Sequence, residues 1–183
     1  MAVMLGPADA VPGDPRRILV SGPSGAGKTT VAADLGRAWN IPHVELDSLH
    51  HGPGWVPRAE FAADVAALAA APAWVTEWQY SQVREVLLAR AELVVALDLP
   101  AAVVAARLLR RTAARRMRGT VLWNGNVEPP LWTVLTDPEH VVRAAPRSFR
   151  RARERLADLA VRADVPPVVV LRSAREVRYW LDR

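Results

Sequence analysis

The sequence predicts an α/β fold, a three-layer sandwich in which helices cover both faces of a five-stranded parallel sheet. Three observations support this prediction. Short apolar runs alternate with longer helical patterns along the chain, and this alternation is typical of parallel sheets. An early apolar run ends in a glycine-rich turn that leads into a helical pattern. The 183 residues, 51% of them hydrophobic, suffice for one domain with a sizeable core.

Five apolar segments are the candidate strands. The first reads Arg-Ile-Leu-Val-Ser and ends in the glycine-rich turn, as is typical of a strand buried in a parallel sheet. The others are similarly short and are separated by helical patterns. The predicted strands cover residues 17–21, 42–46, 73–77, 92–99 and 168–171.

The helices are predicted from apolar residues that recur every three or four positions. In the helix after the glycine-rich turn, Val31, Leu35 and Trp39 lie on one face. A proline interrupts or restarts the fifth helical segment at Pro146. The predicted helices cover residues 27–39, 58–70, 82–90, 101–118, 139–162 and 173–181.

The first 15 residues are rich in Ala, Gly, Pro and Asp, and they are predicted to form a flexible tail before a single domain of residues 16–183. No apolar run approaches the roughly 18 residues of a membrane span, and no secretory signal is visible. Cysteine is absent, which excludes disulfides and thiolate metal sites. The simplest interpretation is a cytoplasmic protein without a membrane partner.

The charge of the chain favours anionic partners. The formal net charge is +5, which suits nucleotides or nucleic acid without deciding between them. Lys28 is the only lysine among the 24 Lys and Arg residues. Lysine is a compact cation on a flexible stem, and the planar fork of arginine does not replace it at every site.

Residues 22–29 read Gly-Pro-Ser-Gly-Ala-Gly-Lys-Thr between a predicted strand and a predicted helix. This spacing is the P-loop signature, in which glycines let backbone N–H groups face phosphates at a helix N-terminus. The motif predicts binding of ATP or a similar triphosphate, with Lys28 at the β- and γ-phosphates, Thr29 on Mg²⁺ and Thr30 at the α-phosphate. The predicted nucleotide-binding residues of this segment are Gly22, Pro23, Ser24, Gly25, Ala26, Gly27, Lys28, Thr29 and Thr30.

Three carboxylates end predicted strands: Asp47, Glu77 and Asp98. The carboxyl ends of parallel strands meet at one edge of the sheet, where ligands bind. Asp47 is a candidate for orienting an acceptor or for holding Mg²⁺ through water, and a turn cap explains it equally well. Glu77 is favoured as a base or as an acid that acts on Mg²⁺ through water, and Asp98 is interpreted as a turn residue.

Arginines form two rows on predicted helices. Arg107, Arg111, Arg115 and Arg118 fall within an arc of about 80° on one helix face. Like charges four residues apart on a helix repel by a few tenths of a kcal/mol, so an anionic ligand would reduce the repulsion between these arginines. A solvated basic face explains some of these residues equally well. The second row is Arg147, Arg151 and Arg155.

With these motifs, the chain resembles the adenylate-kinase-like P-loop kinases, and most closely the branch labelled DNA topology modulation proteins. The Pro-Gly-Trp and Trp-Asn-Gly-Asn segments are narrower signals than the P-loop, which many unrelated NTPases share. The chain departs from the branch after the third predicted strand, where Glu-Trp-Gln-Tyr stands in place of Asp-Gly-Asn-Tyr. Trp78 is expected to crowd the acceptor pocket. The motifs that carry the resemblance are the P-loop and residues 43–47, 53–57, 74–77, 97–100 and 122–126.

The resemblance implies a kinase with a short lid at about residues 118–136. Arg107 and Arg111 would act with Lys28 on the transferring phosphoryl group, and Arg172 would lie near the adenine. Arg151 would close on the site from the far side. The predicted catalytic residues are Lys28, Arg107, Arg111 and Glu77, and the residues expected to contact the acceptor are Asp47, Arg84 and Arg151.

The sequence therefore predicts an ATP-dependent phosphotransferase that uses ATP and Mg²⁺ and acts on a small-molecule or nucleotide acceptor, which the residues do not identify. Two alternatives remain open. One is a nucleic-acid-associated NTPase or DNA-binding regulator whose arginine rows contact phosphates, for which only weak nucleic-acid binding is expected. The other is a nucleotide-binding protein with degraded catalysis.

Overall fold

A parallel sheet forms the centre of the computed structural model, which describes residues 1–118, 121–126 and 141–182. Its five strands run in the order β1-β5-β4-β2-β3, and every neighbouring pair is parallel. The predicted α/β fold with a five-stranded parallel sheet is therefore confirmed. The strands are β1 (Met4–Leu5), β2 (Arg17–Ser21), β3 (Trp74–Glu77), β4 (Leu93–Leu97) and β5 (Val168–Leu171).

Seven α-helices lie in the described part of the chain, together with two 3₁₀ turns at Pro53–Trp55 and Trp123–Gly125. The predicted lid, about residues 118–136, lies outside the described residues at 119–120 and 127–136. No described helix has the length and apolarity needed to cross a membrane. The helices are α1 (Lys28–Ala38), α2 (Leu46–His50), α3 (Phe61–Ala70), α4 (Arg84–Leu88), α5 (Ala101–Arg118), α6 (Val141–Val161) and α7 (Ala174–Leu181).

The predicted strand at residues 42–46 was wrong. His43 makes one isolated parallel bridge to Val75, and Leu46 already begins α2. Pro42 has no N–H to donate to a ladder. The segment is tied to β3 by two backbone hydrogen bonds, at the Pro42 carbonyl and the Val44 N–H, and by the Thr76 hydroxyl, which donates to Val44 O at 2.6 Å. An apolar run thus lies beside the sheet without extending it.

The fifth strand comes instead from the segment that was expected to be a flexible tail. Met4 and Leu5 pair with Val168 and Val169 of β5. The edge of β5 offers unpaired backbone groups and apolar neighbours, and a two-residue apolar stretch is enough to use them. The N-terminal segment therefore covers a sheet edge.

Alternation along β2 sends side chains into two core layers. Ile18 and Val20 pack with Val31 of α1 on one face of the sheet, whereas Leu19 packs with Phe61 of α3 on the other. All of these side chains are buried, and each contributes about 1.5–3 kcal/mol by leaving water. The sheet is thereby held rigidly, with the carboxyl ends of β2, β3 and β4 side by side.

Candidate functional site

The P-loop, residues 22–29, connects β2 to α1 and bends through left-handed backbone conformations. Gly25 has φ 88° and Gly27 has φ 96°. A Cβ on Gly25 would lie 2.9 Å from both Leu108 Cβ and Val104 O of α5, so helix packing as well as backbone conformation requires glycine here. No described side chain caps the start of α1. Its first N–H groups are therefore available to an anion.

A cavity of about 750 Å³, called the first cavity below, opens over the loop. Its volume falls in the range of small-molecule sites. One wall is α5 with Arg107, Arg111 and Arg115, and another is α7 with Val177 and Arg178. The predicted arginine row thus lines a concave surface beside the P-loop.

Lys28 lies within the loop, and its Nζ donates a hydrogen bond to Pro23 O at 3.2 Å. Burial lowers the pKa of Lys28 to about 8, while Asp47 and Glu77 oppose this shift and Arg111 adds to it. The ammonium group therefore lies between carboxylates and guanidinium groups, where a bound phosphate would stabilise its charged form.

Glu77 ends β3 and is 2% exposed. Leu46 N donates to its Oε2 at 3.3 Å, and His43 Nε2 lies 3.5 Å from Oε1. Burial raises the pKa of Glu77, but hydrogen bonding by His43 and Thr29 outweighs burial and holds the pKa below its ordinary value. Glu77 is thus a carboxylate held in its charged form beside the P-loop threonine.

The surroundings of Glu77 and Thr29 fit a hydrated magnesium ion. Oε1 of Glu77 is buried and has no well-formed hydrogen bond among the described residues, so it can accept one from a water on the metal. No group of three His, Asp or Glu side chains in the described ranges is arranged to hold a metal ion by itself. Mg²⁺ does not require such a group of side chains, because it binds one or two protein oxygens and completes its coordination shell with water and phosphate.

The α5 arginines approach the loop from one side. Arg107 Nη1 donates to Ala26 O at 3.2 Å, which ties α5 to the turn that a nucleotide would occupy. Arg111 lies close enough to Lys28 to lower its pKa. Arg118, the last residue of the predicted row, has no described side chain.

A second cavity of about 620 Å³ opens on the other side of the loop. Arg84 of α4 and Arg151 and Arg155 of α6 line it, so the two predicted acceptor arginines come together with a third. Burial lowers the pKa of Arg155, and the charges of Arg84 and Arg151 lower it further. The residues shared by the two cavities are Ser24, Lys28, Gln79 and Tyr80.

Trp78 forms part of the lining of the second cavity rather than filling it. The side chain is 4% exposed and packs in the core with Leu87. Its Nε1 donates to Arg84 O at 3.1 Å, and the Arg84 guanidinium lies over its ring, 5.9 Å from the centroid. The expected crowding of the acceptor pocket is therefore not observed, because the indole turns into the core.

Asp47 lies in the first turn of α2 and lines the first cavity. Its Oδ1 accepts hydrogen bonds from Gln79 Nε2 and from the Tyr80 hydroxyl, both at 2.6 Å. The carboxylate is thus oriented by the two residues after Trp78 and does not cap the helix. Sequence reasoning missed Gln79 and Tyr80 as site residues, although both belong to the Glu-Trp-Gln-Tyr segment that it singled out.

Arg172 lies apart from the lining of the first cavity. Its guanidinium is 4.0 Å from Asp98, and its backbone N–H donates to Glu176 at 2.8 Å. The expected position of Arg172 near the adenine stays a prediction. Val177 and Arg178, about one turn into α7, line the cavity instead.

Ser148 of α6 is a site residue that carried no sequence signal. Its Oγ accepts a hydrogen bond from Ser24 N at 2.9 Å and lies 3.3 Å from Ser24 Oγ. A single serine in an arginine-rich helix has no distinguishing pattern, so only the fold reveals that α6 touches the P-loop.

Comparison with known proteins shows a shared fold. No family model and no curated protein matches the sequence. A shikimate kinase from Acinetobacter baumannii, solved with shikimate, aligns with TM-score 0.54 and 15% identity over 90% of this chain and 88% of the kinase. A shikimate kinase from Bacteroides thetaiotaomicron aligns with TM-score 0.52 and 17% identity over 92% and 96%.

A gluconokinase from Sinorhizobium meliloti also aligns, with 21% identity over 92% of this chain and 90% of the kinase, at a TM-score of 0.49 that carries no weight here. The chain shares the fold of the two shikimate kinases. The expected closeness to the DNA topology modulation branch receives no support from these likenesses.

Proposed function

We propose that this chain is an ATP-dependent phosphotransferase. It would transfer the γ-phosphoryl group of ATP to a small-molecule or nucleotide acceptor. The observation that carries the proposal is the position of Lys28, which lines both cavities. A donor in the first cavity and an acceptor in the second would meet at this ammonium group, and such alignment supplies much of the rate enhancement in phosphoryl transfer.

On the donor side, the P-loop N–H groups and Lys28 would bind the phosphates of ATP. Arg107 and Arg111 would stabilise the charge that spreads over the oxygens of the transferring group, because both reach the loop from α5. Val177 of α7 offers an apolar surface to the base. The arginines are already held before the reaction, which reduces the reorganisation that the transition state requires.

Thr29 and Glu77 are the residues proposed to hold Mg²⁺, the first through its hydroxyl and the second through a water molecule. The metal, when bound with ATP, would neutralise charge on the phosphates. Glu77 is suited to this role because it is buried and because His43 and Thr29 hold its pKa below the ordinary value.

Asp47 lines the first cavity and is hydrogen bonded to Gln79 and Tyr80, which line both cavities, so it would receive the proton of the attacking hydroxyl group where the two cavities meet. Both observed donors end on its Oδ1, which leaves Oδ2 for the acceptor. Arg84 and Arg151 line the second cavity and would contact the acceptor. Catalysis would rest on positioning and electrostatics, without a covalent intermediate.

A closer relationship to the DNA topology modulation branch remains part of this proposal. Its support is that the two narrowest motifs of the resemblance contact each other: Trp55 N donates to Asn126 Oδ1 at 3.0 Å, and Asn126 Nδ2 donates to Gly52 O at 2.9 Å. Motifs that pack together are expected to serve one purpose. We also propose that residues 16–183 form one domain, to whose sheet the N-terminal segment adds strand β1.

The experiment is an acceptor screen. The purified chain is incubated with ATP and Mg²⁺ and a panel of nucleotides and small hydroxyl compounds, and ADP formation is measured. At least one compound should raise ADP formation in the parent, and Asp47→Asn should abolish that stimulation while ATP still binds. Stimulation that persists in Asp47→Asn would remove Asp47 from the mechanism. Arg110→Ala is the matched surface control, since Arg110 is exposed on α5 and lines neither cavity.

A further inference from the structure

Tyr80 occupies a strained turn directly after β3. Its φ is 60°, a left-handed conformation that costs a non-glycine residue free energy unless its surroundings hold it. Burial and the neighbouring charge of Asp47 raise the pKa of Tyr80, so the phenol remains a neutral donor. Because an ionised carboxylate only accepts, the Tyr80 proton must lie on the 2.6 Å contact with Asp47.

His51 completes the hydrogen bonding of that hydroxyl group. Its Nε2 lies 3.1 Å from Tyr80 Oη. Since the single Tyr80 proton is directed to Asp47, the phenol oxygen accepts, and His51 must donate from Nε2–H. His51 thereby restricts the rotation of the Tyr80 hydroxyl. The network itself assigns the tautomer of this histidine.

His50 supports the same arrangement from the other side. Its ring stacks on Tyr80 with centroids 4.1 Å apart and an angle of 16°. Its Nδ1 lies 3.4 Å from His51 Nδ1. Burial lowers the pKa of His50, and the neighbouring His51 lowers it further. A neutral His50 can donate to His51 Nδ1, which leaves Nε2 of His51 as the donor to Tyr80.

Residues 121–126, which contain the turn at Trp123–Gly125, pack against His51 and are called the clasp below. The Trp123 ring stacks on His51 with centroids 6.3 Å apart and an angle of 26°. Trp123 Nε1 donates to Glu45 at 2.9 Å, and Asn124 Nδ2 donates to His51 O. Both the ring and the backbone of His51 are therefore held by a segment that follows α5.

Asn126 extends the clasp to the residue after His51. It is 5% exposed, and its amide bridges Gly52 O and Trp55 N at 2.9 and 3.0 Å. Its Nδ2 also donates to Trp123 O at 2.9 Å. A buried amide with these bonds satisfied is costly to remove, so residues 121–126 and the loop after α2 behave as one unit.

We propose that Tyr80 and His51 are positioning residues for the Asp47 carboxylate. The clasp, residues 121–126, would hold His51 in place, so the orientation of Asp47 would depend on the contacts between the clasp and the loop after α2. The inference rests on the proposed function, because Asp47 matters only if it faces the acceptor. Tyr80 and Gln79 hold Oδ1, so Oδ2 meets the acceptor hydroxyl at a defined angle. Misplacing a reacting group by about 1 Å can cost on the order of 100-fold in rate.

The test measures ADP formation from MgATP, first with water as the acceptor and then with the compound found in the screen. Asp47→Asn sets the scale, with an expected loss of about 100-fold or more. Tyr80→Phe and His51→Ala should each lower kcat about tenfold and leave the KM for ATP within about twofold, as for a group that orients a base. Tyr179→Phe, an exposed tyrosine of α7, is the matched control.

Three further variants separate positioning from packing. His51→Gln should recover most of the activity lost in His51→Ala, because a glutamine amide can donate to Tyr80. The double variant of Tyr80→Phe and His51→Ala should be no slower than either single variant, since both remove one chain of contacts. Trp123→Phe keeps the ring but loses the bond to Glu45, and it should lower kcat about twofold to threefold.

The outcomes distinguish the inference from the function on which it rests. Parent-like turnover in Asp47→Asn would reject the proposed role of Asp47. A slow Asp47→Asn with parent-like Tyr80→Phe and His51→Ala would overturn the inference alone, as would additive losses in the double variant. If Tyr80→Phe unfolds at a clearly lower temperature than the parent, its activity cannot be compared with that of the parent. The test then rests on His51→Gln and His51→Ala, and equal activity of these two variants would overturn the inference.

Discussion

The two cavities on either side of the P-loop are built in opposite ways. The first cavity takes its floor from one contiguous segment, residues 24–31, and one wall from arginines one helical turn apart. The second takes its arginines, Arg84, Arg151 and Arg155, from two helices far apart in the chain. Phosphates are alike in all nucleotides, so a short motif can serve them. Acceptors differ from one kinase to another, and the acceptor site is assembled from residues that only folding brings together.

The largest expected effect concerns the residue at which both cavities meet. Lys28→Ala should weaken ATP binding or lower turnover by about 100-fold or more, because it removes a cation that would contact the transferring group. The fold should survive, since Lys28 lines cavities and belongs to neither core layer. Isothermal titration with ATP and steady-state kinetics measure the effect, and circular dichroism checks the fold. ATP affinity within about threefold and parent turnover would refute the P-loop assignment.

Arg111 tests whether the first cavity acts on the transition state. Arg111→Ala should lower kcat about 10- to 100-fold with a smaller change in ATP affinity, because the guanidinium charge stabilises the transition state of phosphoryl transfer more than it stabilises bound ATP. Arg110→Ala, the exposed neighbour on α5, should stay within twofold of the parent. Equal effects of the two variants on kcat would mean that only the net charge of the helix matters.

Glu77 tests the link between the cavities and the metal. Glu77→Gln should lower turnover about tenfold and ATP binding less, because it keeps the shape of the side chain and removes its charge. Glu77→Asp should be tolerated, since it restores a shorter acid. Turnover measured as a function of Mg²⁺ concentration should show the Gln variant needing more metal. Parent turnover and metal dependence in Glu77→Gln would make the residue structural only.

A pH dependence follows from the pKa of Lys28, which burial lowers to about 8. Bound phosphates would raise that pKa, so ATP binding should take up a proton between about pH 8 and 10, and none at this group below about pH 7. One pH unit above 8, affinity should fall by up to about tenfold. Titration at pH 8.5 in two buffers of different ionisation enthalpy measures the uptake. Lys28→Arg should abolish it, and unchanged uptake in that variant would assign the proton elsewhere.

The smallest effect is expected with DNA, and it separates the kinase from the alternative based on arginine rows. Arg107, Arg111 and Arg151 line cavities, which a duplex would not follow. Binding to duplex DNA should be weak and should be lost at about 0.15 M salt, because each phosphate contact contributes a log–log slope near −0.9. Fluorescence anisotropy over a salt series measures this. Sub-micromolar binding that persists at that salt concentration would favour the DNA-binding alternative.

The same contrast explains how much could be predicted from the sequence. The strand, turn and helix of the P-loop follow from local rules, and helix periodicity gave the α5 arginine row its correct face. Asp47 was expected at the end of a strand and lies in a short helix, since one proline and a few contacts with β3 decided the local structure. Tyr80 and Ser148 could not be assigned at all, because their roles arise only from contacts between distant segments.

The single lysine also gives the molecule one distinctive chemical handle. Lys28 carries the only side-chain primary amine of the sequence. With a pKa of about 8, a substantial share of Lys28 is unprotonated at slightly alkaline pH, and an unprotonated amine is the form that attacks acylating reagents. A mass shift on the peptide that contains Lys28 would therefore report the P-loop without interference from other side-chain amines. Protection of that one amine by candidate nucleotides would rank them directly in a complex mixture, before any acceptor is known.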